Sequence, residues 1–104
     1  MTKAIDSFNR AIDNDPRLAS AYNGRASAFK FSNRANEAIR DWKRALELQP
    51  DLLDVYFNLG ITYLQAGDKS EALRILNRCK EKFYNRLPPS EQNRLNRLIA
   101  EATR

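Results

Sequence analysis

The chain contains no histidine, and this absence narrows the chemistry that it can perform. Histidine is the commonest general base near neutral pH and the commonest neutral metal ligand, so either kind of site would need other residues. A lone cysteine, Cys79, excludes an internal disulfide and a multi-cysteine zinc site. No nucleophile–base couple is recognisable without histidine or a paired lysine. We therefore predict a chain that is not an enzyme and that holds no metal or cofactor.

Glycine and proline are scarce, with three and four residues among 104, and long apolar runs are missing. No segment is apolar enough to span a membrane, and residues 1–15 lack the apolar centre of a signal peptide. Charged residues make up 30% of the chain, which is typical of a helical globular protein. The length fits one small domain. The sequence leaves the cellular compartment open, with a slight preference for the cytoplasm.

The chain repeats itself with a period of 34 residues. Large, small and aromatic residues recur at this shift, and an internal repeat of this length indicates stacked pairs of helices. The matching pairs are Tyr22 and Tyr56, Ala26 and Gly60, Phe29 and Tyr63, Glu37 and Glu71, Ala38 and Ala72, Trp42 and Leu76, and Ala45 and Cys79. The same shift places Ala4, Ile5, Phe8, Ala11, Ile12 and Pro16 on Ala38, Ile39, Trp42, Ala45, Leu46 and Pro50.

These positions resemble those of the tetratricopeptide repeat over residues 1 to about 86. The resemblance implies an all-α fold, an α-solenoid of antiparallel helix pairs with about six helices. One domain covers residues 1–104: the second half of a unit at 1–18, whole units at 19–52 and 53–86, and a capping helix at 88–104. Because the chain begins half-way through a unit, we expect it to be a fragment of a longer protein. Otherwise another molecule covers the first helix, for example through self-association.

Turn and capping residues divide the chain into six predicted helices, over about 3–14, 19–32, 36–48, 53–66, 69–84 and 90–103. Gly67 and Asn33 stand where first helices should end in a left-handed residue. Asp68, three residues before a glutamate, indicates an N-cap for the fifth helix. That helix is expected to run on until Pro88-Pro89 stops it, with Ser90 capping the last helix.

In tetratricopeptide proteins the first helices of successive units line a groove that holds a segment of a partner protein. By resemblance, the groove positions include Asn23, Ser27, Lys30, Phe57, Asn58, Ile61, Leu64 and Gln65. Three of these make an apolar row at i, i+4 and i+7, namely Phe57, Ile61 and Leu64. The functional interpretation is an anchor site for a partner peptide. The structural interpretation is that these residues pack on neighbouring helices or on the capping helix. The predicted function is thus a non-enzymatic scaffold that binds another protein or a peptide segment.

The net charge of +5 lies entirely in the last third of the chain. Residues 1–68 hold nine basic and nine acidic residues, whereas residues 69–104 hold nine basic and four acidic ones. A predicted basic patch contains Arg74, Arg78, Lys82, Arg94 and Arg97. The alternative function is therefore a charge-driven adaptor that binds an acidic protein or an anionic surface. Local pairing along a solvated helix would explain the same residues without any partner. No specific nucleic acid is expected, because few aromatics alternate with the arginines.

Overall fold

The computed structural model describes residues 2–104, and the secondary structure over that range is entirely helical. Six α-helices follow one another: α1 (Thr2–Asn14), α2 (Ala19–Phe31), α3 (Ala35–Leu48), α4 (Leu53–Gln65), α5 (Lys69–Phe83) and α6 (Pro89–Ala102). A single 3₁₀ turn, Tyr84–Arg86, separates the last two. The chain forms two compact units, a first unit that ends at Val55 and a second unit over Tyr56–Arg104.

Apart from the C-terminal end of α5, the helix boundaries lie within one residue of those predicted from the turn and capping residues. Asn33 and Gly67 have positive φ angles, 63° and 80°, which are the left-handed conformations expected after α2 and α4. The backbone N–H of Glu71 donates to Oδ1 of Asp68 at 3.2 Å, so the predicted cap of α5 is confirmed. Local sequence chemistry therefore fixes where these helices begin and end.

Two predictions at the end of α5 are wrong. The helix ends at Phe83 and gives way to the 3₁₀ turn instead of continuing to the prolines, and Leu87 after that turn is buried. Ser90 lies inside α6, whose N-cap is Pro88 and whose first residue is Pro89. The physical reason is that proline suits the first helical position, where its missing N–H has no intrahelical partner to lose.

In the first unit α2 packs between α1 and α3. The ring of Phe8 lies directly against Gly24, so closely that a Cβ at this position would overlap it. On the other side of α2, Ala26 and Ala38 are completely buried and Trp42 is 2% exposed. Small residues on both helices thus allow the backbones to approach, and the large ring fills the remaining space.

In the second unit α4 and α5 meet at Gly60, where an added Cβ would lie 2.5 Å from Cδ2 of Leu76. The predicted role of Gly60, a small residue at a helix crossing, is confirmed by this contact. Tyr56 and Phe83 pack as a tilted aromatic pair with ring centroids 5.8 Å apart. The last helix α6 packs on α5 and buries Leu95 completely.

Candidate protein-interaction surface

Helix α2 buries most of its circumference and leaves one narrow strip exposed. Alanines at positions 19, 21, 26 and 28 are all buried, on both flanks of the helix. The exposed strip consists of Ser20, Ser27 and Phe31, spaced by seven and four residues so that they share one side. We call these three residues the open face of α2. One of the predicted groove residues, Ser27, lies at its centre.

Asn23, another predicted groove residue, has its amide engaged within the first unit. Its Oδ1 accepts a 2.9 Å hydrogen bond from Nε1 of the buried Trp42. Its Nδ2 donates to Oδ2 of Asp54 at 3.4 Å, which is a long hydrogen bond. A buried indole N–H needs an acceptor, and Asn23 provides it for Trp42 inside this unit. Its amide keeps one N–H and one oxygen lone pair beyond these two hydrogen bonds.

Lys30, in the last turn of α2, is half-buried. Burial lowers the pKa of its ammonium group, because the charged form loses hydration. The long alkyl stem of a lysine commonly lies along the protein while its charge reaches solvent. Lys30 is thus a partly desolvated cation in the last turn of α2.

The apolar row predicted on α4 differs in exposure along its length. Phe57 is 4% exposed, and the guanidinium of Arg94 on α6 lies 4.9 Å from the centre of its ring. The burial of Phe57 and its contact with Arg94 agree with the structural interpretation, in which Phe57 packs against the capping helix. Ile61 and Leu64 are half-buried and so retain some accessible apolar surface. Asn58 is half-buried and Gln65 is exposed.

The predicted basic patch lies in the second unit and part of its charge is compensated locally. Arg74 pairs with Glu71 at 3.2 Å and Arg94 pairs with Glu91 at 3.6 Å. Both are i, i+3 pairs on exposed helix surfaces, each worth a few tenths of a kcal/mol. The remaining three members, Arg78, Lys82 and Arg97, are exposed.

A polar cluster between the helices of the first unit was missed by sequence reasoning. Arg25 donates from Nε and Nη2 to Asp41 at 2.7 and 2.8 Å, and from Nη1 to Oδ1 of Asn9 at 2.8 Å. The hydrogen bond to Asp41 holds the pKa of Arg25 above its usual value. A shallow cavity beside this pair is lined by Arg25, Phe29, Glu37, Arg40 and Asp41. One feature of the sequence could have indicated this cluster, namely charged residues at interior positions of the repeat. Arg25 and Asp41 stand where the next unit has Leu59 and Ile75.

The described residues give little support for reactive chemistry. Burial raises the pKa of the Cys79 thiol to about 11, so at neutral pH it is protonated and a poor nucleophile. Among residues 2–104 no group of three or more His, Cys, Asp or Glu side chains is placed to hold a metal ion. Over the same range, every helix is too short or too polar to traverse a lipid bilayer.

Comparison with known proteins identifies the repeat. A family described as "TPR repeat" matches residues 32–67, and one described as "Tetratricopeptide repeat" matches residues 54–84. The chain is a tetratricopeptide-repeat domain. Its fold is therefore an α-solenoid of helix pairs, as the sequence predicts.

Related proteins and structures agree with this assignment of the tetratricopeptide-repeat domain. It is 31% identical over 104 residues to the WD and tetratricopeptide repeats protein 1 of Homo sapiens, covering 97% of this chain. The domain spans only 15% of that relative's length. Its fold is similar to the "TPR2B-domain:pHsp70-complex of yeast Sti1", with a TM-score of 0.83, 23% identity and coverage of 96% of this chain and 80% of the other. It is also similar to the "First TPR of Spaghetti (RPAP3) bound to HSP90 peptide SRMEEVD", with a TM-score of 0.78, 22% identity and coverage of 99% and 82%.

Proposed function

We propose that this tetratricopeptide-repeat domain is a non-enzymatic scaffold that binds an extended segment of another protein. The observation that carries the proposal is the open face of α2, in which two serines and an exposed aromatic share one side of a helix whose other residues are buried or half-buried. The accessible parts of this strip lie around Ser20 and around Ser27 and Phe31, since the ring of Phe8 packs against Gly24 between them. Similarity to a tetratricopeptide structure solved with the peptide SRMEEVD supports a peptide as the occupant.

Each unit has its own set of residues proposed to contact a partner. On α2 they are Ser27, Lys30 and Asn23, whose amide is partly engaged by Trp42 and Asp54. On α4 they are the half-buried Asn58, Ile61 and Leu64 and the exposed Gln65. Phe57 is left out of this set, because it is buried and Arg94 covers its ring. On α4, Ile61 and Leu64 would supply apolar contact for affinity, and the polar groups of each set would fix the register of a bound segment.

The alternative function, a charge-driven adaptor acting through the basic patch, has less support. Two of its five members are paired with glutamates on their own helices. Glu81 adds a further acid to the exposed surface of α5, one residue before Lys82. Mixed charge of this kind is typical of an ordinary solvated helix.

A pair of matched serine substitutions tests the proposal. Ser27→Arg places a long charged side chain on the open face of α2, whereas Ser70→Arg makes the same change on α5, at a residue outside the proposed contact set. Both serines are exposed, so both variants should keep the helical circular dichroism of the wild type. Partners captured from the source cells by crosslinking should be lost with Ser27→Arg and kept with Ser70→Arg.

A third variant distinguishes the alternative function from the proposed one. Neutralising Arg78, Lys82 and Arg97 to glutamine removes the unpaired members of the basic patch. If this variant loses the captured partners while Ser27→Arg keeps them, the basic patch is the binding surface and the proposal is wrong. If all variants behave like the wild type, neither helix α2 nor the basic patch binds the partner.

A further inference from the structure

Asn23 is followed by glycine, and no other asparagine of the sequence is. Asparagine before glycine is typical of tight turns, where glycine adopts positive φ angles freely. Here the dipeptide lies inside the helix α2, where a glycine costs helix stability. The next unit has Phe57 and Asn58 at the equivalent positions, so the repeat does not require this dipeptide. It is a property of the first unit.

Contacts within the first unit account for both residues. The ring of Phe8 lies where a side chain at position 24 would have to be. Oδ1 of Asn23 accepts from Nε1 of Trp42 at 2.9 Å, and Nδ2 of Asn23 donates to Oδ2 of Asp54 at 3.4 Å. Replacing Gly24 would displace Phe8, and replacing Asn23 would leave a buried indole without its acceptor. The packing of the unit thus maintains the dipeptide.

Asparagine before glycine is also the sequence in which a side-chain amide is most readily lost, because glycine leaves its backbone nitrogen unshielded. This nitrogen of Gly24 attacks Cγ of Asn23, and a bond forms between them. The bond from Cγ to Nδ2 breaks, and Nδ2 leaves as ammonia with the proton of the attacking nitrogen. Water then opens the resulting cyclic succinimide at either carbonyl, which leaves an aspartate or an isoaspartate.

The folded helix opposes this reaction in two ways. A backbone N–H inside an α-helix donates to the carbonyl four residues earlier, and helical dihedral angles keep its nitrogen away from the preceding side chain. The amide of Asn23 is also held by Trp42 and Asp54. The attack therefore requires α2 to open locally, and its rate follows the population of the open state.

We infer that Asn23–Gly24 is a modification site at which spontaneous deamidation converts the amide into a carboxylate, and that the folding of α2 controls its rate. The inference goes beyond the proposed function and does not depend on it, because the reaction needs no partner. Deamidation marks the molecules in which α2 has opened. The aspartate product places a carboxylate beside that of Asp54, and the isoaspartate product adds a methylene to the backbone of the helix.

Trypsin makes the reaction measurable, because it releases three peptides that each contain one asparagine. They are residues 18–25 with Asn23, residues 4–10 with Asn9 and residues 11–17 with Asn14. Asn9 is the matched control, since it is also half-buried in a helix of the first unit but precedes an arginine. The full chain is incubated near neutral pH, folded or in urea, and digested at mildly acidic pH. Mass spectrometry detects deamidation as a gain in mass.

In urea Asn23 should react many times faster than Asn9 and the exposed Asn14, because neither of these precedes glycine. Folding should slow the reaction at Asn23 about tenfold or more, as expected if opening costs about 1.4 kcal/mol or more. Asp41→Ala removes the carboxylate that binds Arg25 of α2. It should accelerate deamidation of Asn23 in the folded protein and leave the rate at Asn14 the same.

Encoded variants test the consequence of the aspartate product. Asn23→Asp should lower the urea midpoint, because a carboxylate replaces the group that donates to Asp54. Asp54→Asn in the same chain restores a donor between the two side chains. The double variant should therefore be more stable than the two single variants predict by addition, with Asp54→Asn alone as the control.

Other results overturn the inference. If Asn23 reacts no faster than Asn9 in urea, the dipeptide is not a preferred modification site. If Asn23 reacts equally fast in the folded protein and in urea, or if Asp41→Ala leaves its folded-state rate unchanged, the opening of α2 does not control the reaction. Additive effects in the double variant would contradict the predicted contact between the product and Asp54.

Discussion

The helix pairs α2–α3 and α4–α5 occupy equivalent places in the 34-residue repeat, yet different chemistry fills their interiors. In the first pair Arg25 and Asp41 form a partly buried ion pair with two hydrogen bonds between the side chains. In the second pair the same positions hold Leu59, which is completely buried, and Ile75, which is half-buried. The repeat thus fixes the path of the backbone without fixing whether an interior position is polar or apolar.

The two kinds of interior pair differ in how their burial changes the free energy of folding. An apolar pair gains free energy simply by leaving water, in any orientation. A buried ion pair must first lose its hydration, and it recovers that cost only when its geometry and hydrogen bonding are good. Arg25 meets this condition by donating also to Asn9 of α1, so the polar solution joins three helices of the first unit. It also depends on every partner, since removing one leaves a charge uncompensated.

The largest expected effect therefore comes from breaking the ion pair. Asp41→Ala leaves the guanidinium of Arg25, whose side chain is 22% exposed, without its carboxylate. We expect the free energy of unfolding to fall by about 2–3 kcal/mol, the usual loss for a poorly hydrated charge that loses its partner. Urea titration followed by Trp42 fluorescence measures it, because Trp42 lies in the same unit and is the single tryptophan.

Copying the second pair into the first provides the control. The double variant Arg25→Leu with Asp41→Ile places the residues of α4 and α5 at the equivalent positions. It should unfold within about 1 kcal/mol of the wild type, since apolar residues of similar size often replace a buried ion pair without loss. A double variant as unstable as Asp41→Ala would contradict the equivalence of the two solutions and assign a specific structural role to the charges.

This comparison also marks the limit of sequence reasoning. The 34-residue period, the positive-φ residues Asn33 and Gly67 and the cap at Asp68 are local signals, and they predict the helices to within a residue. Small residues at crossings, such as Gly60, are predictable because the period places them opposite another helix. The fold follows from patterns that act over one turn or one repeat.

The candidate site depended on contacts between residues distant in sequence, and there prediction was weaker. Periodicity shows that α4 has a second apolar side, which includes Phe57. Only the placement of Arg94 shows that the ring of Phe57 is covered. The sequence shows that Asn23 has a polar amide. It does not show that Trp42 donates a hydrogen bond to this amide, because that contact depends on how two helices pack. Phe31 was not predicted as a site residue, because a hydrophobic pattern does not show which apolar residues at the end of a helix are exposed.

A smaller effect is expected where the two pairs differ by one methyl group. Ala26 in the first pair corresponds to Gly60 in the second, and both are completely shielded from solvent or nearly so. Gly60→Ala gains up to about 1 kcal/mol of helix propensity but forces a Cβ to within 2.5 Å of Leu76, an overlap that costs about 1–3 kcal/mol. We expect a net destabilisation of about 1 kcal/mol, measured by urea titration with circular dichroism. A stabilised Gly60→Ala variant would mean that the side chain of Leu76 can move aside with little cost in free energy.

The smallest effect concerns the position that is Ala45 in the first pair and Cys79 in the second, both completely buried. Cys79→Ala copies the residue of the first pair and removes one atom, so near neutral pH it should cost about 1 kcal/mol or less. Its signature is a dependence on pH. The thiol has an ordinary pKa of 9.0, and burial in the folded protein raises it to about 11. Between these values the unfolded chain releases the proton while the folded protein keeps it.

The folded state therefore binds more protons than the unfolded state in this interval, and the free energy of unfolding contributed by the thiol must fall as pH rises from 9.0 towards about 11. Lysine and tyrosine side chains also titrate here, so the informative quantity is the difference between the wild type and Cys79→Ala, in which those groups cancel. Urea titrations across the interval should show the wild type losing its advantage and then becoming the less stable protein. Parallel pH profiles would contradict a buried thiol, because an accessible one would have the same pKa in both states.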